Sequence, residues 1–246
     1  MSSDLAQTLI VMPAFNEEAA VAGVVAEVFA KLPGATVLVV NDGSRDSTVA
    51  QASSAGATVI DLPFNLGVGG AMRAGFKYAQ AHGFRYVVQV DSDGQHDPDG
   101  VPSILAALRS HDVAIGARFA GQGDYEVRGP RKWAMKVLAS VIGRIARTRL
   151  TDTTSGFRGA GPRAIAIFAE HYPAEYLGDT VESLVLAARA GCTITQVPVS
   201  MRSRAGGTPS HNPGKAAVYL GRAALALVIA LWRPPITLRH EMTTQP

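Results

Sequence analysis

At 246 residues the chain is long enough to bury a core without disulfides or structural metals, and its single cysteine, Cys192, excludes an intramolecular disulfide framework and suits a reducing cytoplasm. A formal net charge of +3, with no basic run interleaved with aromatics, is too mild to argue for nucleic-acid binding, although it permits contact with an anionic surface. The polar start MSSDLAQ carries no secretory pattern, and Arg222 and Arg233 bracket the most apolar stretch, Ala223 to Trp232, too tightly for the roughly 20 apolar residues of a bilayer-spanning helix.

Short β-rich runs alternate with longer helical patterns, which predicts βαβ units, a mostly parallel sheet and one α/β domain. TLIVMPAF (8–15) reads as a buried first strand. Asn16-Glu17-Glu18 then opens a helix whose apolar positions Val21, Val24, Val25, Val28 and Leu32 recur at helical spacing, and Pro33-Gly34 ends it. TVLVVND (36–42) is a second strand, with Asp46 or Ser47 able to cap a short helix after it. ATVIDL (57–62) is a third, followed by a glycine-rich loop and a helix through Tyr78. YVVQVDSD (86–93) and VAIGARF (113–119) complete the regular part.

The second half is less regular. Residues 128–149 form a basic segment with helical periodicity, and DTTSGFRG (152–159) reads as a loop and short strand. Helices are expected over 162–171 and 180–190, a late strand over 193–201, and a mobile loop over 202–214. A helix from about Lys215 to Trp232 and a polar tail close the chain. The expected division is a catalytic domain over 1–214, with 215–246 as part of the same domain or a docking element.

In parallel α/β sheets the ligand site lies beyond the carboxyl ends of the strands. PAFNEE, NDGSRDST, NLGVGG and DSDGQHD all fall there. Each alone is ordinary turn chemistry; together at consecutive strand ends they mark a site. Asp91, Asp93, Gln95 and Asp97 would repel one another without a cation, and oxygen ligands suit Mg²⁺ or Mn²⁺ completed by water and substrate phosphates. An EF-hand fails: counted from Asp91, its glycine position is His96 and its final glutamate position is Pro102. Asp97 or Asp99 can instead cap the helix after Pro98. Gly67-Val68-Gly69 begins like a dinucleotide fingerprint, but Met72 stands at the third glycine position. A nicotinamide-dependent oxidoreductase is therefore the rival of another class, and a catalytically idle nucleotide-binding protein a further one.

VMPAFNEE, VVNDGSRDST, NLGVGGAMRAG, DSDGQHDP, GARF and DTTSGFR occur in the same order in family-2 glycosyltransferases of the GT-A fold, and the chain resembles in particular the dolichyl- or polyprenyl-phosphate hexosyltransferases of the dolichyl-phosphate mannose synthase type. The resemblance runs over roughly residues 8 to 215. It implies that Pro13, Phe15 and Glu17 line the nucleoside pocket with Gly69 and Ser92 nearby, and that Asp42 recognises base or ribose. It assigns Asp91, Asp93 and Gln95 to a divalent metal, Mg²⁺ or Mn²⁺, on the diphosphate of a GDP- or UDP-hexose. Ser92 fills a position often occupied by alanine, and Asn41 replaces a frequent aspartate beside Asp42, so the base preference does not transfer. Arg118, Arg131 and Arg204, and less so Ser155 and Arg158, are expected to meet the acceptor phosphate and departing diphosphate; Arg158 alternatively braces its loop through Asp152.

The resemblance implies inverting attack on the anomeric carbon. A phosphate-monoester acceptor has its second pKa near about 6, so it is mostly dianionic and needs no general base. An alcohol acceptor, such as a soluble metabolite, would need one, with Asp152, Asp179 or Glu182 as candidates. Because polyprenyl phosphate lives in a bilayer, peripheral attachment to the cytoplasmic face of a membrane is expected. The stripe Leu220, Ala224, Leu227, Val228 and Leu231, flanked by Lys215, Arg222 and Arg233, would serve directly, pack on the core, or dock a small integral membrane subunit.

Overall fold

Leu9 and Val11 alternate with Ile10 and Met12 along the first strand, and all four are buried. Successive side chains on a strand point to opposite faces, so such a strand must be covered by helices on both sides. The computed structural model describes residues 2–117, 139–173 and 179–202. After a short helix α1 (Ser2–Leu5) come β1 (Thr8–Ala14), α2 (Val21–Lys31), β2 (Thr36–Asn41), α3 (Thr48–Ser54) and β3 (Thr58–Asp61). Next are α4 (Gly67–Ala81), β4 (Tyr86–Gln89), α5 (Val101–Leu108) and β5 (Val113–Ala117). Residues 139–145 are helical, and β6 (Arg158–Ala160), α6 (Pro162–His171), α7 (Asp179–Arg189) and β7 (Ile194–Pro198) follow. The expected helix over 215–232, the polar tail, and Arg118, Arg131 and Arg204 lie outside the described residues.

Among the described residues, one seven-stranded sheet has the order β3-β2-β1-β4-β6-β5-β7. All pairings are parallel except those of β6, which runs antiparallel to β4 and to β5. On one face, Leu9, Val11, Leu38 and Val40 pack against Met72 and Phe76 of α4, Phe168 of α6 and Leu184 of α7. The Phe76 ring lies 5.0 Å from that of Phe168 and 5.2 Å from that of Tyr172. On the other face, Ile10, Met12, Val37 and Val39 meet Val21, Val25 and Val28 of α2 and Ile104 and Leu108 of α5. Each such side chain contributes about 1.5–3 kcal/mol when fully buried. Gly75 lets α4 approach β1 closely, since a Cβ there would come 2.5 Å from Val11 Cγ1. Burial, with the charge of Asp112, pushes the Cys192 thiol up to about 11, so it packs as a small apolar group.

Three expected boundaries move, each for a local reason. α2 begins at Val21 rather than at Asn16. Asn16 is in the left-handed region (φ 55°), and the backbone N–H groups of Asn16, Glu17 and Glu18 donate sideways to Ser44, Thr48 and Asp46 instead of into a helix. The expected glycine-rich loop is the first turn of α4, where Gly67, Gly69 and Gly70 are all buried. β4 ends at Gln89, because the Asp91 N–H turns away from the neighbouring strand to a histidine ring.

Candidate active site

The turn leaving β4 is built around its own side chains. Gln89, polar in an otherwise apolar strand and 3% exposed, donates from Nε2 to Asp91 Oδ1 at 3.0 Å. The Asp91 backbone N–H donates to His96 Nδ1 at 3.0 Å, which places the ring proton on Nε2, 3.5 Å from Asp91 Oδ2. Ser92 Oγ donates to the Pro13 carbonyl at 2.9 Å and ties the turn to the end of β1. Asp93 Oδ1 accepts from the Gln95 N–H at 3.0 Å, an Asx turn that keeps Asp93 and Gln95 adjacent. Asp93 is 8% exposed, whereas the Asp91 side chain is 34% exposed.

β6 supplies the opposing wall. Running antiparallel beside β4, with Gln89 opposite Arg158, it delivers residues 155–157 to the same end of the sheet as the β4 turn. A Cβ on Gly156 would lie 3.1 Å from Gln89 Nε2 and 3.4 Å from Asp91 Oδ2, and Phe157 stacks on the His96 ring with centroids 4.8 Å apart. The Arg158 guanidinium is engaged within the chain. It is buried and donates to the Ser155 carbonyl, the Thr180 carbonyl and Ser183 Oγ, so it braces the loop through Ser155 and α7 rather than through Asp152. Ser155 Oγ and Gln89 Oε1 are buried with no hydrogen-bond partner among the described residues, each at a cost of about 1–3 kcal/mol. Asp152 is fully buried and accepts from Thr154, and Glu182 is 7% exposed.

At the end of β2, beyond β1, Asp42 is bonded within the fold. Its Oδ1 accepts from the Leu66 N–H at 2.6 Å and its Oδ2 from the Gly67 N–H at 2.8 Å, so the carboxylate clamps the start of α4. Gly67 needs its φ of +79° to present that N–H, and Gly69 lies buried behind the clamp. Burial raises the Asp42 pKa above the ordinary value, against the two amide hydrogen bonds that lower it. Asn41 donates to Asp61 at 2.7 Å, a contact an aspartate would turn into repulsion. Pro13 is buried, Glu17 half-buried and Phe15 exposed at 45%, an apolar surface just after β1.

A cationic cluster backs the acidic turn. Lys31 Nζ lies 3.0 Å from Asp97, 2.6 Å from Asp99 and 3.2 Å from Glu27, while Arg202 bonds Glu27 and reaches Asp97 at 2.7 Å. Burial works to raise Asp97, but hydrogen bonds from Arg202 and Lys31 outweigh it and hold the carboxyl at about 2. Asp97 also caps the turn at Pro98, as expected. Met201 bridges His96, and the Arg202 N–H donates to the Gln95 carbonyl at 3.0 Å. Of the loop expected over 202–214, Arg202 is anchored and the rest lies outside the described residues. Sequence reading missed Gln89, His96, Lys31 and Arg202. Only Gln89 carried a local signal, a polar residue inside VVQV.

Asp91, Asp93 and Gln95 offer two carboxylates and an amide oxygen, hard donors of the kind Mg²⁺ and Mn²⁺ take. No group of three or more His, Cys, Asp or Glu side chains converges among the described residues. The donor set thus fits an ion that draws the rest of its shell from phosphate and water. No helix among the described residues is long and apolar enough to cross a membrane.

The sequence matches the family model for glycosyl transferase family 2 over residues 9–172. It is 29% identical over 230 residues to the undecaprenyl-phosphate mannosyltransferase of Micrococcus luteus, covering 89% of this chain and 95% of that one. It is also 29% identical over 160 residues to the polyprenol monophosphomannose synthase of Mycolicibacterium smegmatis, covering 62% and 60%. Among solved structures, glucosyl-3-phosphoglycerate synthase from Mycobacterium tuberculosis, crystallised with Mn²⁺, uridine diphosphate and glucosyl-3-phosphoglycerate, superposes with a TM-score of 0.72 at 20% identity. That superposition covers 95% of this chain and 85% of the other, a likeness of fold.

Proposed function

The chain belongs to glycosyl transferase family 2 and has the GT-A fold, and from that premise we propose that it moves a hexose from a nucleotide-diphosphate sugar to polyprenyl phosphate, with inversion and with a divalent cation. The observation that carries this reading is the Asp91 carboxylate, held from behind by Gln89, partly open, and followed by Asp93 and Gln95. These residues would hold Mg²⁺ or Mn²⁺, which when bound supplies positive charge to the donor diphosphate. Phe15 offers an apolar face for the base, and Pro13, fixed by Ser92, sets the floor beside it. Arg118, Arg131 and Arg204 would bind acceptor phosphate and the leaving diphosphate through guanidinium forks.

An alcohol acceptor would need a general base, for which Asp152, Asp179 and Glu182 are the available acids. A phosphate acceptor, already dianionic, asks for no such base. The named lipid-phosphate relatives support the same class. Because that acceptor is lipid-borne, the protein is expected to bind a membrane surface peripherally, and vesicles containing anionic lipid should retain it in co-sedimentation.

The test is a thermal-shift panel with GDP, UDP and NAD, each with and without Mn²⁺, followed by transfer of labelled mannose or glucose to undecaprenyl phosphate. Metal-dependent stabilisation by GDP or UDP and label in the lipid phase are expected. Stabilisation by NAD without a metal effect, or transfer to phosphoglyceric acid and not to lipid phosphate, would overturn the reading.

A further inference from the structure

The Asp91 carboxylate is gripped from within the sheet. Gln89 donates to Oδ1, His96 Nε2 faces Oδ2 at 3.5 Å, and the His96 ring is itself fixed by the Asp91 N–H and by its stack on Phe157. Gly156, with no side chain, lets the β6 loop come close to this group: a Cβ there would lie 3.1 Å from Gln89 Nε2 and 3.4 Å from Asp91 Oδ2. Gln89 stands where its neighbours Val87, Val88 and Val90 are all buried and apolar, and its own Oε1 has no hydrogen-bond partner among the described residues. An apolar side chain would suit that position better for stability alone. What the amide adds is one N–H aimed at Asp91.

We infer that Gln89 and His96 are positioning residues that hold the Asp91 carboxylate in one orientation for a divalent cation. The inference rests on the metal reading of the acidic turn. Residues that hydrogen-bond a ligating side chain fix its direction, and their loss typically weakens metal affinity by about 10–100-fold. With Oδ1 held by Gln89 and Oδ2 facing His96 Nε2, the part-exposed Asp91 carboxylate keeps lone pairs available to an ion. Without Gln89 the carboxylate loses the hydrogen bond on Oδ1, and the ion meets a ligand that is less well ordered on arrival.

The experiment uses the full chain and Mn²⁺ itself, with the free ion read by electron paramagnetic resonance in the presence of GDP or UDP. Gln89→Met keeps the side chain's length and removes the amide. Its Mn²⁺ dissociation constant should rise about tenfold or more, while its Tm stays at or above the wild-type value because the unpaired Oε1 is gone. His96→Asn keeps an acceptor near the Asp91 N–H and removes the ring N–H facing Oδ2, so it should weaken Mn²⁺ binding less than His96→Leu. In the transfer assay the apparent KM for Mn²⁺ should rise in Gln89→Met with kcat recovered at saturating Mn²⁺, a split that a merely structural residue would not give. Wild-type affinity in Gln89→Met, or a lowered Tm or failure to fold in that variant, overturns the inference and leaves the metal reading standing. A wild-type chain that binds no Mn²⁺ with either nucleotide overturns the metal reading and this inference together.

Discussion

Asp42 follows β2 and Asp91 follows β4, at the same end of the same sheet. The Asp42 carboxylate is buried, with one oxygen on the Leu66 N–H and the other on the Gly67 N–H. The Asp91 carboxylate is about one-third exposed and accepts a single hydrogen bond from another side chain. The difference lies in what each meets. Asp42 faces the first amides of a helix, which have no intrahelical partner and donate one bond to each of its oxygens in a buried place. Asp91 faces an amide side chain and an imidazole, which orient it without using it up. A strand-end aspartate is a clamp in the first surroundings and an available ligand in the second.

The contrast is broken most directly at the acidic turn. Asp93→Ala should lower transfer by at least about a hundredfold and leave circular dichroism and Tm near wild type; undiminished transfer removes the catalytic half of the comparison. Arg158→Met probes the wall behind Asp91. It should cost about 3 kcal/mol in urea unfolding, because the Ser155 and Thr180 carbonyls lose their donor. A variant of normal stability that has lost only acceptor affinity would return Arg158 to the phosphate site.

Asp42→Ala tests the clamp. It should cost about 2 kcal/mol through the two freed amides and leave Mn²⁺ affinity unchanged; a loss of nucleotide affinity at full stability would make Asp42 a ligand after all. The smallest effect belongs to Asp97→Asn, which should cost less than about 1 kcal/mol at neutral pH, since its partners are partly exposed. Because the folded carboxyl lies at about 2, below the unfolded value near about 3.9, its contribution is present above pH ~4 and is lost as pH falls through about 2. Unfolding of both forms at pH 7, 4 and 2.5 should show the gap closing at the lowest pH.

The sheet was legible because each strand of its parallel part is a short apolar run set off by polar turns, and the helices of α2 and α6 announce themselves by spacing. β6 was harder. Arg158–Ala160 spans three residues, one charged and one glycine, and nothing in Arg-Gly-Ala says that it runs backwards between β4 and β5. The acidic turn was legible as a cluster of carboxylates, since their mutual repulsion is a sequence-level fact. Which of them stays open was not. Asp42 is spent on amides 24 and 25 positions away, and Asp91 is held by a histidine five positions on that reads as an ordinary turn residue. Helix α2 was placed too early because Asn16, Glu17 and Glu18 look like a helix start, while their amides are claimed by the turn after β2.

The reversed strand also fixes when the molecule can become whole. During synthesis β4 emerges long before β6, and because β5 does not pair with β4, the edge of β4 stays open until residue 160 has appeared. An unpaired edge strand is a template for association with other chains, and closing a contact so distant in sequence is slow. Chains interrupted after β5 should therefore accumulate as aggregates, carrying Asp91 and Asp93 with no wall behind them. The nascent protein is sticky first, and its acidic turn is walled last.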